Sequence, residues 1–354
     1  MSEAAHPGTS LDSKYQYFWD CNNIRTALLS ENAKREVATE VTDLVTRAQI
    51  TMLAELLDVE PDELRSLERL GAADVEALRQ RISDTLFDSL ASVFTRVGKL
   101  APLVPDALAA TVAMKAIPPE VAGRAGGAVG MAHQHRAAGL MARMTPTYLA
   151  DAAPYVDPRV IPVFAPLLPF TLLLPAADEL LRRRDYPTAA RFVEYATDEL
   201  IREFERHVQD DIAIISTGAM VSRTEVLNTI LRTVSAERRE RLAVAGAAGE
   251  PEVLAAMLSL LSRIDAKFAS PMSAAFFEVA ARRGLAEVCA LILEVGADGE
   301  LLDIMSYLPG EAVSAVFAAV TPADLTSFER AATTGRRKAS WLRLAVSSPE
   351  AAAQ

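Results

Sequence analysis

Cysteine is nearly absent from this sequence, and with it the chemistry that cysteine supports. Only Cys21 and Cys289 occur, and two distant thiols make neither a disulfide framework nor a zinc site. Cys289 lies inside the apolar run Val288 to Leu293 and reads as a small buried hydrophobe. Aromatic residues are only 6% of a chain that is 51% hydrophobic, so the apolar content is mostly Ala, Leu and Val. Small side chains of that kind suit helices packed at close range. Positive charge is in deficit, and the net charge of −11 argues against nucleic-acid binding through a global field. Lysine is scarcer than arginine, as in a GC-rich prokaryotic gene. Two short basic clusters, Arg182 to Arg184 and Arg336 to Lys338, are expected on solvated helix faces.

No long apolar run survives inspection either. Val160 to Ala177 gives eighteen uncharged residues, which touches the length of a membrane span. Pro162, Pro166, Pro169 and Pro175 interrupt it, and each removes a helical hydrogen bond that lipid cannot replace. A buried pair of short helices meeting at prolines is the better reading. The first sixteen residues lack a basic start followed by an apolar core, so no secretion signal is expected and a cytoplasmic location follows by default.

What is present is helical punctuation. A chain of 354 residues suffices for two ordinary domains or one elongated array. Residues 1–30 are polar apart from Tyr15, Tyr17, Phe18 and Trp19, rings that are expected to pin this irregular segment to the body. Residues 31–100 form a long-helix region. Its clearest signal is the stripe Val75, Leu78, Ile82, Leu86, Leu90, Val93 and Val97, spaced by three or four residues. Asp74 is placed to cap that helix, and the stripe must cover either the rest of the chain or a second copy, making a homodimer one reading. Residues 101–345 change character, and 346–354 are a tail. Helix starts there are marked by a capping residue and then proline, at Thr145-Pro146, Asp157-Pro158, Ser270-Pro271, Thr321-Pro322 and Ser348-Pro349. Such residues cap exposed amides, while proline at the first helical position has no amide to satisfy. Pro105-Asp106, Pro119-Glu120 and Pro251-Glu252 add further starts. Short helices in series point to a superhelix more than to a four-helix bundle.

An internal similarity runs from Ala177–Tyr186 to Phe276–Leu285, and then from Ala196–Ile201 to Ala297–Leu302. Duplication and chance likeness between Ala/Leu/Arg helices both account for it. Three further stretches share a phrase: Thr145 to Asp151, Thr197 to Ile201 and Asp303 to Val313. In its fullest form a short helix ends in Leu308-Pro309, and Glu311 with apolar residues opens the next. This phrase resembles the intracellular N-terminal superhelix of MgtE-type magnesium transporters and the helical domains of the flagellar motor switch protein, over about residues 145–325. The resemblance implies an armadillo-like right-handed stack serving as a regulatory or interaction module without chemistry of its own. No nucleotide-sensing or transmembrane segment follows in the sequence, so a transporter role is not expected.

Few residues offer chemistry. His133 and His135 stand two apart, about 200° around a helix, so one helix cannot present both to a metal. His207 and Asp211 are four apart and would be neighbours on one helix, able to share a proton. Gly123, Gly126, Gly127 and Gly130 fit a close helix crossing or a hinge, since the phosphate-loop and dinucleotide patterns are both missing. Met141, Met144, Tyr148, Phe164 and Phe170 are candidates to line a site for an apolar ligand, although core packing predicts the same residues. The expected fold is all-α: a right-handed armadillo/HEAT-like superhelix of short stacked helices preceded by longer amphipathic ones. The expected function is a non-catalytic helical-repeat module that binds a protein partner or a hydrophobic small molecule, with no cofactor and no metal. The alternative is a cofactor-independent isomerase, cyclase or lyase acting on an apolar substrate, with His207 and Asp211, or His133 and His135, moving the proton. A histidine lining an enclosed apolar cavity would favour the enzyme.

Overall fold

Three of the marked helix starts carry the capping chemistry that the sequence announces. The computed structural model describes residues 43–98, 106–130 and 134–346, and no strand occurs among them. Thr145 accepts a hydrogen bond from the Tyr148 amide, Asp157 from Arg159, and Thr321 forms a full capping box with Asp324. Ser348-Pro349 and the aromatic group Tyr15 to Trp19 lie outside the described residues.

The N-terminal elements are α1 (Leu44–Leu57), a 3₁₀ segment (Pro61–Leu70) and α2 (Ala72–Gly98). Ile50, Leu53 and Ala54 of α1 meet Leu64, Leu67, Val75 and Ile82 in one apolar cluster, with Leu78 and Leu86 at its margin. The first half of the α2 stripe is therefore spent inside the chain, each fully buried aliphatic side chain contributing about 1.5–3 kcal/mol. Leu90, Val93 and Val97 lie where side chains are not described. Asp74 does not cap α2. The helix begins two residues earlier, at Ala72, and Asp74 sits within its first turn, where its charge still favours the helix dipole.

Next come α3 (Asp106–Ala116), α4 (Pro119–Gly130), α5 (Gln134–Met141) and α6 (Pro146–Ala152). Residues 153–167 form tight 3₁₀ turns around the one-turn helix α7 (Ile161–Phe164), and α8 (Phe170–Arg182) follows. The uncharged stretch is thus broken into short pieces, as its prolines require, with Pro175 inside α8. Among the described residues no helix is long and apolar enough to cross a membrane. The remaining helices are α9 (Tyr186–Val193), α10 (Asp198–His207), α11 (Asp211–Met220), α12 (Thr224–Thr233), α13 (Ala236–Ala248), α14 (Pro251–Arg263), α15 (Ala266–Arg283), α16 (Leu285–Glu294), α17 (Asp298–Met305), α18 (Gly310–Ala319), α19 (Pro322–Ala331) and α20 (Gly335–Val346). One main core runs through α11 to α20, centred on Leu254, Met257, Leu258, Phe276, Leu301 and Phe328. Contacts repeat at every third helix, α11 on α14, α14 on α17 and α17 on α20.

Ser270-Pro271 is a correction, because it starts no helix. Helix α15 begins at Ala266 and carries Pro271 in its interior. The missing amide frees the Lys267 carbonyl on a face where Pro271 is exposed, so water can take the bond that the helix loses.

Arginine closes many of the helix ends. The last carbonyls of a helix have no partner within it and carry the negative pole of its dipole. Arg191 of α9 donates to Pro154 and Val156 at 2.9 and 2.5 Å. Arg263 of α14 donates to Ala219 and Val221, at the end of α11, at 3.2 and 2.5 Å. Arg343 of α20 reaches Met305 and Leu308, beyond α17, at 3.0 and 2.7 Å. Arg239 serves Leu231 and Val234 after α12, and Arg283 serves Gly249 after α13. A guanidinium holds two carbonyls in one fork, which an ammonium does not reproduce. The arginine bias of the composition therefore has a structural use.

The glycine-rich stretch is helical and makes the close crossing anticipated for it. A β-carbon at Gly123 would stand 2.5 Å from the Ala152 carbonyl oxygen and 2.9 Å from Cβ of Tyr155, whereas one at Gly126 would meet nothing within 4 Å. Gly123→Ala is expected to lower stability by about 1–3 kcal/mol through overpacking. Gly126→Ala is expected to raise it by about 0.5–1 kcal/mol through helix propensity. Urea midpoints of the two variants check the pair, and equal shifts would remove the crossing from the explanation.

Candidate functional site

Helix α17 is the polar centre of the molecule. Every one of its residues, Asp298 to Met305, is buried, yet three of them are acids. Each acid serves a different neighbour. Asp298 accepts from the Ser327 hydroxyl of α19 at 2.7 Å. Glu300 accepts from the Leu44 amide, the first of α1, at 2.8 Å. Asp303 takes two arginines of α20, Arg336 at 2.9 Å and Arg337 at 2.8 Å. Arg337 turns its other amino group to Asp43 at 2.8 Å. Room for that guanidinium comes from Gly299, where a β-carbon would stand 2.4 Å from its Nη1.

These groups surround a half-open cleft of about 380 Å3 at the meeting of α1, α14, α17 and α20, which Ser259, Ser262 and Arg263 of α14 also line. The expected solvated face holds for Arg336 and Lys338, which are exposed. It is corrected at Arg337, only 7% exposed, because Asp303 and Asp43 supply the counter-charge that lets it go inside. Burial works against its charge, but Asp303 and Asp43 hold the Arg337 guanidinium above the ordinary arginine value. Glu300 is pushed up to about 7 by burial, against the pull of the Leu44 amide and Arg337.

The histidine and carboxylate candidates do not converge. Helix α10 ends at His207, and Val208 leaves it in an extended conformation. Asp210 then caps α11 by accepting from the Ala213 amide, so His207 and Asp211 lie on different helices and the single-helix pair is overturned. The His207 ring is 54% exposed and 3.7 Å from Glu203, with Nδ1 2.8 Å from the Glu203 carbonyl oxygen. Asp211 pairs instead with Arg238 at 2.8 Å and Arg241 at 3.4 Å. It edges a second, shallower cleft of about 420 Å3 with Glu237, Glu240, Val244 and Ala245. His135 is exposed on α5, and His133 lies outside the described residues. No group of three or more His, Cys, Asp or Glu among the described residues is placed to hold a metal. The Cys289 thiol is 1% exposed and pushed up to about 12 by burial.

Of the apolar candidates, Met141 and Phe164 come together with Ala138 and Val160 in a small packed cluster. Tyr148 is buried and donates to the Ile117 carbonyl at 2.9 Å. Met144 and Phe170 are part-exposed. None of the five lines either cleft. Glu300 and Asp303 were not among the expected site residues, and Arg337 was expected only in a solvated basic cluster. Their signal was there, since Asp298, Glu300 and Asp303 interrupt a segment apolar on all sides, and such acids need partners once buried. No family model, no curated protein and no solved structure matches the chain.

Proposed function

We propose that the chain is a non-catalytic helical-repeat module, built as a right-handed superhelix of the MgtE N-domain and motor-switch kind, that binds a protein partner. The observation carrying this reading is the occupation of the buried polar groups. Asp298, Glu300 and Asp303 each hold a neighbouring element, and none is left facing an apolar cavity beside a histidine. A proton-transfer enzyme needs the reverse arrangement, an acid or base within reach of a sequestered substrate. The recurrence of contacts at every third helix, with arginines closing helix ends, supports the repeat. A hydrophobic small molecule is the weaker ligand, because the cleft at α17 is charged and Met141 and Phe164 are packed together.

Native mass spectrometry of the full chain, purified from its own host without denaturation, tests this. The expected spectrum shows the polypeptide mass with a protein partner at fixed stoichiometry. An apolar small molecule retained at one per chain would overturn the reading.

A further inference from the structure

We infer that α1 is a pH-operated strap: it is latched to the face formed by α14, α17 and α20 through the Glu300 carboxyl, and deprotonation of that carboxyl loosens the latch.

The geometry begins with a missing cap. Asp43 stands at the N-cap position of α1 but makes no capping hydrogen bond, because its carboxylate is turned to Arg337. Glu300 fills the vacancy from 256 residues away by accepting from the Leu44 amide. The other bonds that tie α1 to the stack are polar too. Arg47 donates to the Val295 carbonyl at 2.7 Å, and Gln49 donates to the Met220 carbonyl at 3.2 Å. Much of the apolar side of α1 is meanwhile committed to the 3₁₀ segment and α2. Leu44 also packs on the main core, and α1 touches α11 and α14. The register of the strap therefore rests on that packing together with a few polar bonds, of which Glu300 makes the first.

Asp43 before α1 and Arg337 on α20 act on the Glu300 charge, as does Arg263 on α14. Asp303 on α17 and Arg336 on α20 line the same cleft, and Arg47 lies one turn further along α1. The donors of these cations are engaged elsewhere. Arg337 serves Asp303 and Asp43, and Arg336 serves Asp303 and Tyr307. Arg47 holds Val295, and Arg263 holds the end of α11. An ionised Glu300, only 3% exposed, gains an amide hydrogen bond and distant cations but loses its water, and desolvation is the larger effect.

The direction of the pH dependence follows. Closed, the carboxyl holds its proton up to about 7, whereas once opened to water it reverts to 4.5. Between these values the closed form binds the proton that the opened form releases, so rising pH favours opening. From pH 6 to pH 8 the opening equilibrium of α1 should rise about tenfold.

Amide hydrogen exchange of the full chain at pH 6, 7 and 8, corrected for intrinsic rates, reads this directly. Protection across residues 44–57 is expected to fall about tenfold over that range, while protection in α14 holds. Glu300→Gln keeps an acceptor for the Leu44 amide and should flatten the profile. Constant α1 protection in the unmodified chain overturns the proposal, as does loosening of α14 in step with α1. A Glu300→Gln chain with the same tenfold dependence overturns it as well. Should that variant not fold, the two comparisons in the unmodified chain still decide.

Discussion

Replacing Arg337 by methionine should lower the free energy of unfolding by about 3–5 kcal/mol, the loss typical of an ion pair broken on one side only. Asp303 is 5% exposed and bonds to both Arg337 and Arg336. With Arg337 gone, half of its acceptor capacity faces no donor and no water. Arg336 cannot make up the difference, since its other donors hold Tyr307 and the Ser262 carbonyl. Asp43 loses its partner too, but at 48% exposure of its side chain water replaces most of that bond. The loss thus belongs almost wholly to the stranded Asp303 carboxylate. A double variant, Arg337→Met with Asp303→Leu, removes that carboxylate and should recover most of the stability, because Arg336 is 39% exposed in its side chain and can turn to solvent. Urea denaturation near neutral pH measures both. A single variant within about 1 kcal/mol of the unmodified chain would mean that Arg336 alone satisfies Asp303.

The contrast between what the sequence disclosed and what it hid follows the range of each interaction. Caps at Thr145, Asp157 and Thr321 were legible because a capping side chain and its amide lie within three residues of one another. The stripe from Val75 was legible because helical period is local, and its first half does bury against α1. Ser270-Pro271 misled because proline at a helix start and proline one turn inside an exposed face look alike in sequence. The difference lies in whether water reaches the freed carbonyl. His207 and Asp211 misled for a related reason: spacing of four makes neighbours only if no helix ends between them, and Asp210 ends that possibility by capping α11. The partners of the buried acids were out of reach. Leu44 and Glu300 are 256 residues apart, and Arg337 and Asp303 are 34 apart, so composition around either residue says nothing about its partner.

Arg263 carries the second large expectation. Arg263→Ala should cost about 4 kcal/mol and Arg263→Lys about 3 kcal/mol, because buried carbonyls left without donors incur their full desolvation and lysine cannot span two of them. Its guanidinium is the cap of α11, donating to Val221 and Ala219 while Nε holds the Ser259 carbonyl of its own helix. Gln49 of α1 satisfies the carbonyl between them, that of Met220. The end of α11 is therefore closed jointly by α14 and α1, and the two contributions should be coupled. If so, Arg263→Lys combined with Gln49→Leu will differ from the sum of the single losses by more than about 0.5 kcal/mol. Urea midpoints of the four chains give the coupling. A lysine variant as stable as the parent would mean that α11 needs only a positive charge near its end, a contribution of about 0.3–1 kcal/mol, and not the fork. That outcome would also weaken the argument at Arg191 and Arg343, which close their helices in the same way. A large lysine penalty would make the arginine fork a recurring element that joins one helix to the helix three before it.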